Sequence, residues 1–313
     1  MLEHKVVYTS DVHGNRNQLK TFVEYALRAK PATVIIGGEL APSNTRIDTA
    51  NSRYIDAQRT FLEQDFPEMI LPLKKGLPET KIFVMLGNDD CEVNLDVLNA
   101  HPELYTEIRG KRFGIDDTHD IVGYSVVPIT PFLVKEFQKF DLSDIPEWAR
   151  KEYQHAQKKS NLRGLRSVRH QNSEWEILQF EQSQEISDSI QKDLQDTLFT
   201  TRSQNTVYVF HAPPYNTALD IFAEDKHVGS FAVREFIQKN NPKITLHGHI
   251  HETVDMSGKF LDHIGDSILI SAGNHNYDNK VAVVEFDLYK PELAQRKKIR
   301  CGTIARFFRG LVQ

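Results

Sequence analysis

Seven residues in five short segments offer ligand chemistry, and each segment follows an apolar run. They are Asp11 and His13 in Asp-Val-His, Glu39 in Gly-Gly-Glu, Asn88 in Gly-Asn-Asp-Asp, His211 after Val-Tyr-Val-Phe, and His249 and His251 in Gly-His-Ile-His. Polar ionisable groups at strand ends stand where a fold can converge them on one point. Four imidazoles, two carboxylates and an amide oxygen suit Zn²⁺, Mn²⁺ or Fe²⁺ better than an all-oxygen site for Mg²⁺ or Ca²⁺. Seven groups are too many for one tetrahedral ion but suffice for two ions sharing a carboxylate and a solvent molecule. In Asp11-x-His13 and His249-x-His251 the spacing turns both side chains the same way if the backbone is extended.

The elements that must position these groups alternate along the chain. Lys5–Thr9 is short, β-branched and apolar and breaks at Ser10, after which Leu19, Phe22, Val23, Tyr25 and Ala26 fit a helix. Thr33–Ile36 and Lys81–Leu86 are predicted strands ending at Gly37 and Gly87, with a helix over Arg53–Leu62 between them. Further strands are predicted at Asp120–Val127, Thr206–Phe210, Lys243–Leu246, Ser267–Ile270 and Val281–Phe286. Strand, glycine-containing loop, helix and strand is the rhythm of an α/β fold, whose sites lie beyond the carboxyl ends of the strands. One domain is expected over residues 1–290. Within it, residues 131–204 are rich in Glu, Lys, Gln and Arg and poor in glycine. Ile186, Ile190 and Leu194 mark a helix with one apolar stripe. The segment therefore reads as a largely helical insertion able to cap a site. Residues 291–313, with Arg296, Lys297, Lys298, Arg300, Arg306 and Arg309 among Ile299, Phe307 and Phe308, read as a basic tail, solvated or docked.

Composition narrows the partners. The 313 residues are 40% hydrophobic and 26% charged, ordinary for a water-soluble chain that buries its own core. A formal net charge of −5 leaves no global positive field to hold nucleic acid or an anionic membrane. The long basic runs and aromatic platforms of a nucleic-acid track are also missing. Two distant cysteines, Cys91 and Cys301, do not indicate a disulfide framework. No signal pattern opens the chain and no apolar run approaches the ~20 residues of a membrane span, so a cytoplasmic address is expected.

As an ordered set, Asp-x-His, Gly-acid, Gly-Asn-x-Asp, His and Gly-His-x-His resembles the calcineurin-like metallophosphoesterase superfamily. His211-Ala-Pro-Pro-Tyr-Asn216 and His247-Gly-His-Ile-His-Glu252 look like a prokaryotic branch of it. The resemblance covers roughly residues 4–130 and 205–290; any one motif alone is weak, and the order is what is specific. It implies a four-layer α/β-sandwich of two mixed β-sheets flanked by helices, with a dimetal site at one edge. By the same resemblance Asp11, His13, Glu39 and His251 would hold one metal, and Glu39, Asn88, His211 and His249 the second. It implies hydrolysis of a phosphomonoester or phosphodiester, a small phosphorylated substrate being favoured, by in-line attack of a metal-bridging hydroxide. The metals lower the pKa of bound water and neutralise the phosphoryl oxygens. Asp11, Asn88 and Asp89 are the candidate catalytic positions, and Asn88 also a candidate substrate contact.

Two departures from the family pattern matter. The family carries Asp where this chain has Glu39, and one extra methylene is large against metal–ligand tolerances of about 0.2 Å. On that ground Glu39→Asp is expected to raise metal affinity or rate. Many members have His at the position of Asp89, where it protonates the leaving group or binds phosphate. An aspartate serves as a general acid only with a raised pKa; Asp90 beside it works in that direction and two metals work against it. Good leaving groups are therefore favoured. The same departures sustain an alternative, a metallophosphoesterase-like scaffold with little catalysis.

Tyr215 and Asn216, just beyond His211, are candidate substrate contacts with turn packing as the alternative, and His227 is a candidate for the rim of the site. Ser230 is predicted to cap a helix. His247 is expected to be buried and hydrogen-bonded, His275 to support a ligand from outside, and Cys91 to be a small buried residue. Lys158, Lys159, Arg163, Arg166, Arg169 and His170 form a basic patch, either a solvated face or a lid that attracts phosphorylated substrate.

Overall fold

Alternation along single strands builds the layers. In Lys5–Thr9, Val6 and Tyr8 fall in one apolar cluster and Val7 in another, as a side-chain period of two requires. The split recurs in Thr33–Gly37, where Ile35 joins Val6 and Tyr8 while Val34 and Ile36 join Val7. Both faces of these strands are covered, which is why they read as unbroken apolar runs.

A computed structural model, describing residues 4–43, 53–157, 160–169, 175–181, 188–223, 226–275 and 277–302, shows what covers them. One six-stranded sheet runs Lys290–Arg300, Lys280–Asp287, Lys5–Thr9, Thr33–Gly37, Lys81–Met85, Thr106–Glu107. The other runs Leu261–Ile264, Ser267–Ser271, Ile244–His247, Thr206–Phe210, Asp120–Tyr124, Arg112–Gly114. Both are mixed: the central strands pair parallel and the antiparallel pairs lie toward the edges. Val6, Tyr8, Ile35, Phe83 and Met85 of the first sheet meet Val207, Val209, Leu246 and Ile270 of the second in one buried cluster between them. On the outside of the first sheet lie the helices Arg16–Ala29 and Phe66–Gly76, through Leu19, Phe22, Phe66 and Ile70. The helix Phe231–Asn240 covers the second, through Phe231, Val233, Phe236 and Ile237. The result is the expected four-layer α/β-sandwich.

The helices begin where their caps say they should. Asn15 accepts from the backbone N–H groups of Asn17 and Gln18, and Ser230 accepts from that of Val233, each meeting donors that a first turn leaves orphaned. The helix predicted over Arg53–Leu62 runs as Arg53–Thr60, continues through a π turn at Phe61–Asp65, and resumes as Phe66–Gly76.

Two boundaries differ from expectation. Among its described residues the insertion between 131 and 204 is not largely helical: Arg163–Arg169 pairs antiparallel with Trp175–Glu181, beside the helices Arg150–Gln157, Ile190–Asp193 and Thr197–Thr200. Its high charge hid a period of two, with Leu165 and Ser167 buried and Arg166 less so, and Trp175, Ile177 and Phe180 are good strand formers. Ile190 and Leu194 are buried together, but their helix is one turn long and Ile186 lies outside the described residues. The domain also continues past residue 290, because Lys290–Arg300 is an edge strand on Lys280–Asp287. Lysines on an exposed edge discourage further strand pairing; here Lys298 also pairs with Asp255 at 2.9 Å. Arg306, Phe307, Phe308 and Arg309 lie outside the described residues. Among the described residues no helix is long and apolar enough to cross a membrane.

Candidate metal centre

Parallel pairing brings the carboxyl ends of Lys5–Thr9, Thr33–Gly37 and Lys81–Met85 to one edge of the first sheet. It does the same for Thr206–Phe210 and Ile244–His247 in the second. The loops leaving those ends are stitched together. Asp11 N donates to Gly38 O at 3.1 Å, His13 N to Glu39 O at 2.7 Å and Gly248 N to His211 O at 3.1 Å. Between the sheets, Tyr8 Oη donates to His247 O at 2.8 Å and His249 N to Asp11 Oδ1 at 2.9 Å.

The convergence does not use extended backbone. Asp11, His13, Glu39 and His249 have φ of 55°, 43°, 52° and 67°, the left-handed region that costs about 1–3 kcal/mol for such residues. Each loop turns sharply at the candidate ligand, so side chains leaving different strands aim inward. Glycines make the room. A Cβ on Gly87 would lie 2.6 Å from Glu39 N, and one on Gly248 would lie 2.7 Å from Asp11 Oδ2.

Ligand atoms of Asp11, His13 and His251 lie within 4.8 Å of one another, and so do those of His13, Glu39 and Asp89. His13 Nε2 is 3.1 Å from His251 Nε2, and His251 Nε2 is 3.6 Å from Asp11 Oδ1. His211 Nε2 is 3.2 Å from Glu39 Oε1, while its Nδ1 faces the Gly37 carbonyl at 3.4 Å. The His249 ring lies 5.4 Å from that of His211, centre to centre. All seven sequence-derived candidates are thus drawn to this edge, with Asn88 on the loop that carries Asp89.

The electrostatics of the group suit cations. Burial pushes His13 and His249 down to about 3 and lowers His211, leaving neutral imidazoles, the form that binds metal. Burial disfavours a charged His251, yet the hydrogen bond and charge of Asp11 outweigh it and raise its pKa. Burial also works against an ionised Asp11, and the same contact with His251 wins and lowers it. Burial, then the charges of Asp89 and Asp90, raise Glu39 well above the ordinary carboxyl range. Two buried atoms in this group, Glu39 Oε2 and Asn88 Oδ1, have no hydrogen-bond partner. An oxygen so placed costs about 1–3 kcal/mol unless something satisfies it. Crowded carboxylates, neutral imidazoles and orphaned oxygens fit a divalent cation.

The extra methylene of Glu39 is used. Its Oε1 accepts from Asp89 N at 2.9 Å and faces His211 at the same time, so the loop is built for glutamate. The sign of the sequence expectation reverses. Glu39→Asp is expected to lose the Asp89 contact and to weaken metal binding about tenfold or more, as loss of supporting contacts does at metal sites. A Mn²⁺ titration giving equal or higher affinity for the variant would show that the loop adjusts.

Asp90 has a role that adjacency to Asp89 did not disclose. Its buried carboxylate accepts from Leu40 N at 2.9 Å, Ala41 N at 2.8 Å and Gly87 N at 2.8 Å, stapling the Glu39 loop to the Asn88 loop. Gln58 adds a second brace, donating to Asp89 O at 2.8 Å and accepting from Cys91 N at 2.7 Å. Ser43 Oγ, 2.8 Å from His13 Nδ1, and Asn274, donating to Asp11 O at 3.1 Å, also brace candidate ligands. No motif marks Gln58, Ser43 or Asn274, because their partners are distant in sequence.

Tyr215, Asn216 and His227 gather around Asp220. Its carboxylate accepts from Asn216 N at 3.0 Å and meets His227 Nδ1 at 2.7 Å. Tyr215 stacks on Phe231 with ring centres 3.8 Å apart, the turn-packing arrangement. His247 is buried, 2.8 Å from Thr245 Oγ1 and 3.1 Å from Ala212 O. The His275 ring is 6.4 Å from that of His251, and its Nδ1 is 2.7 Å from Tyr277 Oη. Cys91 is buried with a free thiol. In the basic patch Arg166 pairs with Glu92 at 3.1 Å, tying the hairpin to the residues after Asp90. Lys158, Lys159 and His170 lie outside the described residues.

The family model for calcineurin-like phosphoesterases matches residues 4–253. The chain belongs to that family. An uncharacterized Methanocaldococcus jannaschii protein, MJ1162, is 38% identical over 91 residues, covering 27% of this chain. The match spans only 39% of that relative's length. Among solved structures, TT1561 of Thermus thermophilus is 14% identical, with 96% of this chain and 100% of that one covered and a TM-score of 0.52. A dimetal phosphatase from Danio rerio is 10% identical, with 96% and 97% covered and a TM-score of 0.50. At such identities these structures speak for the fold. Within the calcineurin-like phosphoesterase family, members typically bind two divalent metals, and the ligand groups described above are this chain's candidates for them.

Proposed function

We propose that this calcineurin-like phosphoesterase hydrolyses a phosphomonoester or phosphodiester of a small molecule at the edge where the two sheets' loops meet. The observation that carries the reading is the pair of buried, partnerless oxygens, Glu39 Oε2 and Asn88 Oδ1, set among imidazoles that burial keeps neutral. Asp11, His13, Glu39 and His251 would hold one cation, and Glu39, Asn88, His211 and His249 the other. Divalent ions held by these residues would supply charge against the phosphoryl oxygens and would make bound solvent a nucleophile near neutral pH.

The chain's own groups orient this apparatus. The Gly37 carbonyl facing His211 Nδ1 favours the tautomer that leaves Nε2 available. Ser43 does the corresponding work at His13 Nδ1. Asp11, braced by Ser10 Oγ at 2.5 Å and by His249 N, keeps a fixed anionic ligand between the two sheets. A net charge of −5 supports a small phosphorylated substrate over nucleic acid, since any attraction must be local.

Elemental analysis of purified protein, paired with hydrolysis of bis-p-nitrophenyl phosphate and p-nitrophenyl phosphate under added Mn²⁺, tests the reading. About two metals per chain with turnover is the expected result, and the preferred compound tells diesterase from monoesterase. Metal-loaded protein that turns over neither compound would leave a scaffold in place of an enzyme.

A further inference from the structure

The Asp89 carboxylate faces two of the candidate metal ligands from the loop that follows Lys81–Met85. Its ligand atom lies within 4.8 Å of those of His13 and Glu39, so three side chains from three separate loops face one space. Glu39, 2% exposed, contributes Oε2 without a hydrogen-bond partner, 3.8 Å from His13 Nδ1. Asp89 Oδ1 accepts from Asn88 Nδ2 at 3.0 Å, which turns the Asn88 amide so that its buried Oδ1 has no partner. One Asp89 oxygen thus orients a neighbouring ligand, and the carboxylate has a second oxygen to offer.

We propose that Asp89 is itself a metal ligand, sharing a cation with His13 and Glu39, and that it does not donate the leaving-group proton. The inference rests on the metal centre proposed above. A carboxylate bound to a divalent cation is held ionised and has no proton to give. The centre would then hold three carboxylates, Asp11, Glu39 and Asp89, making its donor set richer in oxygen. Such a set shifts preference from Zn²⁺ toward harder ions such as Mn²⁺. Substrates whose leaving groups depart without protonation would follow.

The test is calorimetric titration of the metal-stripped protein with Mn²⁺, comparing wild type, Asp89→Asn and Asp89→Ser. The asparagine variant keeps an acceptor for Asn88 Nδ2 and removes only the anionic ligand. Two Mn²⁺ sites are expected in the wild type, with one weakened about tenfold or more in both variants. If Asp89→Asn binds both ions as tightly as wild type, Asp89 only orients Asn88 and the inference fails. If the wild type binds no Mn²⁺, the metal centre fails and takes the inference with it. Thermal unfolding of the metal-free variants shows whether each is folded, and a folded serine variant that binds both ions as tightly as wild type would likewise overturn the inference. At saturating Mn²⁺, the dependence of rate on leaving-group pKa is expected to be the same in Asp89→Asn and wild type. A steeper dependence in the variant would assign proton donation to Asp89 and overturn the inference.

Discussion

Asp11→Ala is expected to abolish Mn²⁺-dependent hydrolysis while leaving the fold intact. Asp11 is buried, ionised through its contact with His251, and bound to His249 N at 2.9 Å across the gap between the two sheets. Alanine removes an anionic ligand and the brace that places the Gly248–His251 turn. Partners that merely support metal ligands are worth roughly 10–100-fold, so the loss from a ligand with both duties should exceed about a hundredfold in kcat/KM. The fold should persist because the backbone contact from Asp11 N to Gly38 O and the apolar layers on both faces of Lys5–Thr9 remain. Rate with bis-p-nitrophenyl phosphate, metal content and circular dichroism on one preparation check all three parts. Turnover within a factor of two of wild type would remove Asp11 from the centre. His249→Ala should behave alike in rate, since His249 sits beside His211 and is a candidate for the other ion.

Gly38→Ala is expected to cost both stability and metal binding. Gly38 has φ +103°, and a Cβ there would lie 2.5 Å from Nδ1 of the buried His211 ring. Backbone strain of this kind costs about 1–3 kcal/mol, and overpacking a filled interior adds about 1–3 kcal/mol more. A loss of roughly 2–6 kcal/mol is a large part of a typical domain's roughly 5–15 kcal/mol. Relief by moving His211 would pull its Nε2 away from Glu39 Oε1, now 3.2 Å distant, so the ring cannot yield without disturbing the centre. Urea denaturation of the metal-free protein reads the first effect and Mn²⁺ titration the second. An unchanged midpoint together with wild-type affinity would mean that the loop has slack the packing does not suggest.

The strands were legible because burial on both faces leaves apolar runs that stop abruptly, as at Gly37 after Thr-Val-Ile-Ile. The order of the motifs was legible for a related reason: ligands at the ends of parallel strands appear in sequence at each strand-to-loop break. Charge-rich segments were harder. Surrounding charge hides the hairpin of Arg163–Arg169 and Trp175–Glu181, and the basic run 296–300 reads by composition as a tail although it belongs to an edge strand. Edge positions tolerate lysine and arginine that a central strand would exclude, so composition misleads there.

The sequence by itself determined which residue types end the strands, and through them the family's ordered pattern and the sandwich. Tertiary structure decided how those residues meet. Left-handed backbone at Asp11, His13, Glu39 and His249 is set by hydrogen bonds between loops far apart in the chain. The glutamate at position 39 fits because Asp89 N lies where its Oε1 ends. Asp90 proves a staple because three backbone N–H groups from two loops reach it. These arrangements depend on contacts between loops that are distant in sequence, as from Leu40 to Asp90 or from Asp11 to His249, and side-chain length or acidity read along the chain carries no record of them.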